Sequence, residues 1–365
     1  MHLRTSGIST VVKWLGLTLA LAIITLYIIA PFIIKHYLNH RVLNHMGAYS
    51  GRVESVELAL LRGEYLLKDL KIRRQQSHHR VDFFTVKEFA IALSWEGLRH
   101  RQILTRVKLT KPELIFLDAN KKEDQQTGEG TNWLDVFESI LPVTLHELVI
   151  ADGIIRLQNL DTKPTVNIAI EDIDAELSNL TNVKDAAGRR VAKAALTGQL
   201  FGDSPLSAKA EFDPFNFNDF EFAADAQGIR IDRLNDFAQA YAKIDFKSGH
   251  GEVFIELSAH QRQLRGYIKP LFEDIKVLSW SQDVKQQGDN PLQLIWEAGW
   301  QLLSALVTNL ESNKLATQID IKGSLEEVDA SSWQATLGVL HNAFISALRS
   351  RYEKLTPLTK DRDEP

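Results

Sequence analysis

Phe89-Ala90-Ile91-Ala92-Leu93-Ser94-Trp95 decides how this chain folds. Its large apolar side chains fall on odd positions and its small ones on even positions, the period of two that a half-buried β-strand requires. The same alternation recurs on either side. Upstream, Val56, Leu58 and Leu60 alternate with Ser55, Glu57 and Ala59. Downstream come Val107 and Leu109, then residues 114–117 beyond Pro112, 145–150, 153–157 and the trio Val166, Ile168 and Ile170. Residues 191–200, 206–212 and 220–226 continue the pattern. Val253, Ile255 and Leu257 share a further face, followed by 265–268, 275–278 and 315–321 with Ile319 and Ile321. About fourteen strands joined by short Gly, Asp or Asn turns predict antiparallel meanders.

A second feature precedes the strands. Residues 14–34 (WLGLTLALAIITLYIIAPFII) carry no charge, with Lys13 before them and Lys35 after. As a helix this run is about 32 Å long, enough to cross a hydrocarbon core of about 30 Å. A cleaved signal peptide would have a shorter apolar core ending near Ala20-Leu21-Ala22, but the run continues to Ile34, so an uncleaved anchor is expected. Trp14 and Tyr37 supply aromatics at its two ends. The basic residues flanking the run are nearly balanced, so charge alone does not set its orientation. Helical spacing predicts further helices over 35–47 (an extension of the anchor), 132–141, 232–242, 291–311 and 332–351. Residues 120–130 and 282–290 read as exposed or disordered loops. The expected organisation is an anchor over 1–40, one β-rich body over 41–355 and a flexible tail over 356–365.

Composition narrows the function. With 44% hydrophobic and 24% charged residues, the body has the makings of an ordinary core. A net charge of −5 argues against a nucleic-acid partner, which needs a concentrated basic surface. The chain has no cysteine, which excludes disulfides, thiolate metal sites and cysteine nucleophiles. No Gly-x-Ser-x-Gly elbow, Walker loop, EF-hand loop or His-Glu-x-x-His motif occurs. His36 and His40 lie four apart on one helical face but lack a third ligand nearby, and read as polar residues leaving a bilayer. His78-His79 lies in the basic segment 71–80, a hairpin tip read first as solvated charge and second as a headgroup contact. Glu171, Asp172 and Asp174 read as strand-flanking turn residues rather than a cation site. Asp152-Gly153, Gly198 and the glycines of 247–251 suit turns or bulges. The apolar strand faces remain. They belong either to a sheet packed on helices or to a curved sheet whose concave face stays partly open to acyl chains.

The order of signals resembles the AsmA-like proteins, specifically their shorter branch of domains of unknown function. The resemblance lies in the anchor followed at once by strands at 53–61 and 65–72, then Leu93-Ser94-Trp95 and Gly97-Leu98. It continues in Val107-Lys108-Leu109-Thr110-Lys111-Pro112-Glu113-Leu114 and in Leu148-Val149-Ile150-Ala151-Asp152-Gly153-Ile154-Ile155. Tyr241, Ile244-Asp245-Phe246, the Gly249–Gly251 turn, 253–257 and Gly266 extend it, so that it covers roughly residues 10–350. It implies a single-pass protein of a Gram-negative inner membrane with its C-terminal body in the periplasm. It also implies a role in outer-membrane biogenesis or envelope lipid homeostasis. The family offers no catalytic residue to carry over; no enzymatic activity, metal or cofactor is expected. The expected fold is mainly β with helices: an N-terminal transmembrane helix, then an elongated, curved antiparallel sheet forming an apolar groove, with amphipathic helices towards the C-terminus. Val56, Leu58, Leu60, Phe89, Ile91, Leu93, Val107, Leu109, Val166, Ile168, Ile170, Val253, Ile255, Leu257, Ile319 and Ile321 are the expected inner face. Its partner would be a phospholipid or other acyl lipid. The alternative is a non-enzymatic envelope scaffold or assembly factor that docks other envelope proteins. The two differ in whether the apolar face is open or sealed.

Overall fold

The computed structural model describes residues 6–59, 63–93, 105–128, 130–131, 136, 140, 145–180, 191–213, 216–280, 314–316 and 318–324. The expected helices at 291–311 and 332–351, the loop at 282–290 and the tail at 356–365 lie outside these residues, as does Leu60.

Among the described residues the chain is mainly β, built as one long, curved, open sheet with few helices. Helix α1 (Ser6–Tyr37) comes first and holds the whole uncharged run in its 32 residues. A π-helical turn over Leu38–Val42 continues it, close to the extension expected over 35–47. Among residues whose side chains are described, no helical stretch is long and apolar enough to cross a membrane. The case for a span is therefore the uncharged run itself.

The strands follow: β1 (Tyr49–Arg52), β2 (Ser55–Ala59), β3 (Glu64–Arg74), β4 (Asp82–Leu93), β5 (Thr105–Asp118), β6 (Leu145–Asn159) and β7 (Val166–Ser178). After them come β8 (Ala192–Leu200), β9 (Ser204–Asp213), β10 (Asn216–Arg230), β11 (Ile244–His260), β12 (Gln263–Trp280), β13 (Lys314–Ala316) and β14 (Ile319–Ser324). Neighbours in the chain are neighbours in the sheet from β3 to β12, while β1 and β2 both pair with β3, and β13 and β14 both with β12. A short helix α2 (Asn235–Ala242), entered through a 3-10 turn over Ile231–Leu234, lies between β10 and β11, where 232–242 was expected.

Three sequence expectations need correction. The meander is not wholly antiparallel: β5 and β6 pair in parallel, so the chain between them must cross back over the sheet. The pieces at 145–150 and 153–157 form one strand, as do those at 265–268 and 275–278, and 114–117 continues the strand of Val107. The segment expected as an exposed loop over 120–130 is instead packed inward at Asp124, Gln126 and Thr127, which are buried. Gln126 bridges Leu117 with two backbone hydrogen bonds of 2.8 and 3.0 Å, and the Gly128 N–H donates to the Tyr49 hydroxyl.

One local device explains both the merged strands and the curvature. Asp69, Lys111, Asp152 and Asp172 hold positive φ values of 50–58° inside β3, β5, β6 and β7. Asp69, Lys111 and Asp152 occupy one line across the sheet, since Lys68 pairs with Glu88, Glu88 with Thr110, and Thr110 with Ala151. Asp152 and Asp172 sit where the β6–β7 register shifts and act as bulges, whereas Asp69 and Lys111 leave the register unbroken. Inward positions change parity along the same line, from Leu67 to Leu70 in β3, from Phe89 to Val86 in β4, which itself holds no left-handed residue, and from Leu109 to Pro112 in β5, all buried. Asp274 and Gly249 repeat the device in β12 and β11, where the register shifts.

Two buried clusters fill the inner face. The first joins Leu38, Leu43 and Met46, after α1, to Leu67, Val86, Phe89, Ile91, Val107 and Leu148. Val136 and Ile140 are helical and buried in it, consistent with the expected 132–141 helix, whose other residues lie outside those described. The second packs Phe237 and Ala238 of α2 on Val166, Ala226, Ile229, Phe246 and Phe272.

Candidate functional site

Directly paired residues in a sheet share a face, so the register places the expected inner residues without ambiguity. One continuous row crosses the sheet as Val56, Leu67, Phe89, Leu109, Ile150, Ala175 and Leu196, then Ala208, Ala224, Ile255, Ile268 and Ile319. A second row runs beside it as Leu58, Tyr65, Ile91, Val107, Leu148 and Leu177, then Ala194, Ala210, Phe222, Leu257, Gly266 and Ile321. Eleven spacings of about 4.8 Å make the path about 53 Å long. No charged side chain interrupts either row.

The expected residues divide among four places. Val56, Leu58, Phe89, Ile91, Val107, Leu109, Ile255, Leu257, Ile319 and Ile321 lie in the rows. Val253 stands one position further along β11, opposite Ala226, against the second cluster. Leu93 pairs with Thr105 at the end of β4, and its side chain, like Leu60, lies outside those described. Val166, Ile168 and Ile170 are not in the rows: the bulge at Asp172 separates them from Ala175 and Leu177, which hold those positions. Val166 is fully buried in the second cluster and Ile168 packs against it. The sequence reading passed over Ala175, Ala194, Ala208, Ala210 and Ala224, because alanine alternation resembles any small-residue strand. Only the register, which pairs them with Leu177, Leu196, Phe222 and Ile255, places them on the path.

Exposure changes along the path. At its N-terminal end Val56, Leu67, Phe89, Ile91, Val107 and Leu109 are 0–6% exposed, a closed core. From β8 onward every row member is half-buried, from Ala194 and Leu196 to Ile319 and Ile321. A depression of about 500 Å³ over β9–β12 lies on the opposite face, lined by Lys209, Glu211, Glu221, Glu256 and Arg265 with Ala210, Phe222, Leu257 and Gly266 along its floor, so it is not part of the apolar path. Gly266 is required there: a Cβ would come within 2.0 Å of the Glu256 carbonyl oxygen and 2.9 Å of a Leu257 methyl.

The opposite face is polar and laced with ion pairs: Lys68–Glu57 (2.7 Å), Arg106–Glu147 (2.6 Å), Arg156–Glu113 (2.8 Å) and Lys193–Glu211 (2.9 Å). The acidic trio is absorbed into this framework. Glu171 pairs with Arg156 at 3.0 Å, Asp174 accepts from the Asp152 N–H at 3.2 Å, and Asp172 is a bulge residue. Hydrogen bonds to Glu113 and the charges of Glu113 and Glu171 raise the Arg156 pKa despite partial burial.

The basic tip at 71–80 is tied down. His78 donates its N–H to Asp124 at 2.6 Å and sets its ring Nδ1 3.0 Å from the same carboxylate. His79 Nε2 lies 3.2 Å from Asp161, and Arg73 pairs with Asp82 at 2.8 Å. Burial pushes the Asp124 carboxyl up, but the His78 hydrogen bonds and the charges of His78 and His79 outweigh it and hold the group below its ordinary value. The tip also sits at the far end of β3, ten residues or about 33 Å from the Glu64 end that lies beside α1. If α1 spans the bilayer, this tip points away from the membrane.

One buried polar knot joins α2 to the sheet. Asn159 donates to Asp118 at 2.9 Å, and the Tyr241 hydroxyl donates to the same carboxylate at 3.0 Å. Burial, then the Asp118 charge, push the Tyr241 pKa upward. The rings of His36 and His40 lie 4.3 Å apart, and no group of three metal-ligating side chains occurs among the described residues. No known family model matches this chain, and no curated protein matches it.

Proposed function

We propose that this chain is a membrane-anchored lipid-binding or lipid-transfer protein whose acyl chains lie against the half-open rows over β8–β14. The observation that carries this reading is the pair of uninterrupted apolar rows, sealed by other side chains at one end and half-exposed at the other. A sheet needing only a core would gain nothing from leaving Phe222, Ile255, Leu257, Ile268 and Ile319 only half-buried. Each CH₂ that leaves water contributes about 0.8 kcal/mol, so an acyl chain binds such a surface without specific polar contacts. α1 is the proposed anchor, with Tyr37 and the body beyond it on the far side of a Gram-negative inner membrane. The resemblance to AsmA-like proteins points the same way, towards outer-membrane biogenesis or envelope lipid homeostasis. The closed core over β3–β5 favours the second reading, a scaffold, only if the exposed half proves equally dry of lipid.

The test is a count of phospholipid retained by full-length protein after detergent extraction and exhaustive washing. Wild type should keep bound phospholipid. Ile255→Asp should lose it, with its circular dichroism unchanged and its stability lowered by less than about 1 kcal/mol. Equal lipid in both proteins would remove the groove reading, and lipid-free wild type would move the scaffold reading to first place.

A further inference from the structure

The last three turns of α1 have two unlike sides. Ala30, Pro31, Ile34, Lys35 and Leu38 are half-buried or buried against the body, at the three-and-four spacing of one helix stripe. Tyr27 starts this stripe, its hydroxyl donating to the Leu58 carbonyl oxygen at 2.6 Å. Ile28, Ile29, Phe32 and Ile33 form the opposite side and are 45–70% exposed.

Strand β2 runs antiparallel to this part of α1. Asn39 brackets Val53, accepting from its N–H at 2.8 Å and donating to its carbonyl at 3.0 Å. Lys35 approaches Glu54 at 4.0 Å, and Tyr27 meets Leu58. Eight helical residues separate Lys35 from Tyr27, so these contacts cover about 12 Å of height. Over the same height the outer side of the sheet is charged. Glu57 pairs with Lys68, and the row that starts at Ala59 continues through Glu64 and Ala92 to Arg106, itself paired with Glu147.

Four large apolar side chains at the surface of a helix belong in hydrocarbon, whereas these ion pairs belong in water or among headgroups. A flat bilayer surface cannot serve both at one height. We infer that the leaflet is locally thinned on the β2 side of α1, which rests on the reading of α1 as a membrane span. Water and headgroups reach down to the level of Tyr27 beside β2, while acyl chains remain against Ile28, Ile29, Phe32 and Ile33. The Tyr27–Leu58 bond fits this arrangement. β2 is an edge strand, and a carbonyl turned towards the anchor there needs a partner that hydrocarbon does not supply. The dent sets distorted lipid beside the first strands of the sheet that carries the apolar rows.

The chain lacks cysteine, so single cysteines report unambiguously. Full-length variants in vesicles of phosphatidylethanolamine and phosphatidylglycerol are treated from outside with a membrane-impermeant maleimide. Leu21→Cys marks the membrane interior and Gln227→Cys marks water. Ile28→Cys tests the lipid side of α1; Ala59→Cys and Glu57→Cys test the β2 side at similar height. Leu21→Cys and Ile28→Cys should react at least about tenfold more slowly than the other three, because the reactive thiolate does not form in hydrocarbon. Ile28→Cys reacting as fast as Ala59→Cys would mean a flat surface at Tyr27 and overturn the inference. Ala59→Cys and Glu57→Cys as slow as Ile28→Cys would mean an inserted hairpin and overturn it too. Fast labelling at Leu21→Cys would remove the span itself, a failure distinct from either.

Discussion

Asp274 shows how much a single backbone angle does in this sheet. It holds φ at 54° inside β12, is exposed, and its carbonyl accepts from the Ser248 hydroxyl. Aspartate tolerates the left-handed region better than most residues, and a β-branched side chain tolerates it worst. Asp274→Val should therefore destabilise by about 1–2 kcal/mol and Asp274→Gly by less than about 0.5 kcal/mol, read by chemical denaturation. Equal effects would mean the bulge is not imposed by this residue. Asp124 works through charge instead. Its carboxyl is held below the ordinary value in the folded state, so it binds fewer protons there than in the unfolded chain. Its stabilising contribution is complete above the unfolded pKa of about 3.9 and is lost as pH falls through the lower folded value. Asp124→Asn should flatten the loss of melting temperature between pH 5 and pH 2 relative to wild type, and an unchanged slope would contradict that assignment. These residue-level features were poorly legible in the sequence. Aspartate followed by glycine, as at 152–153, signals a hairpin turn and an in-strand bulge equally well, and the register shift between β6 and β7 at Gly153 decides for the bulge.

At the scale of elements, β4 and β11 carry the same alternation and sit in different surroundings. Phe89-Ala90-Ile91 and Ile255-Glu256-Leu257 both alternate, yet Ile91 is 5% exposed in the first cluster while Ile255 is half-buried over β8–β14. A carboxylate at Ile91 has no partner in a closed core, so Ile91→Asp should cost about 3–5 kcal/mol and unfold or melt the protein early. Ile255→Asp can turn its charge to water and should cost less than about 1 kcal/mol. Thermal melts of the two variants check the contrast, and equal losses would mean that both ends of the face are sealed. Ile91→Asp therefore probes folding and is unsuited to probing lipid. Period two told which side of a strand faces inward, and most of the inner rows were legible for that reason. It did not tell what covers that side, because the cover comes from residues distant in sequence: Leu38, Leu43, Val136 and Ile140 over β3–β5, and Phe237 over β7 and β10–β12. The left-handed residues inside the strands hid in the same way. Each broke the alternation locally and split one strand into two apparent ones, at Pro112, at Asp152-Gly153 and near Asp274.

For the whole molecule, the proposed anchor and the apolar path make separate predictions. The uncharged run should keep the protein with the membrane after a high-salt wash, since burial of apolar residues is not screened by ions. Release of a soluble species beginning near Ile23 would show cleavage instead. With the body proposed to lie in the periplasm, a reporter active only there should work when fused after Pro365, and activity of a cytoplasm-only reporter at that site would contradict the orientation. The path itself is tested most directly by photo-crosslinking in intact cells, with p-benzoylphenylalanine placed at Phe222, on the apolar row, and at its neighbour Ala223, on the polar face. Because the two positions share a strand and differ only in the face they present, expression, folding and membrane proximity are matched. A phospholipid adduct at Phe222 and none at Ala223 is the predicted result; adducts at both positions, or at neither, would contradict a lipid path along the inner face.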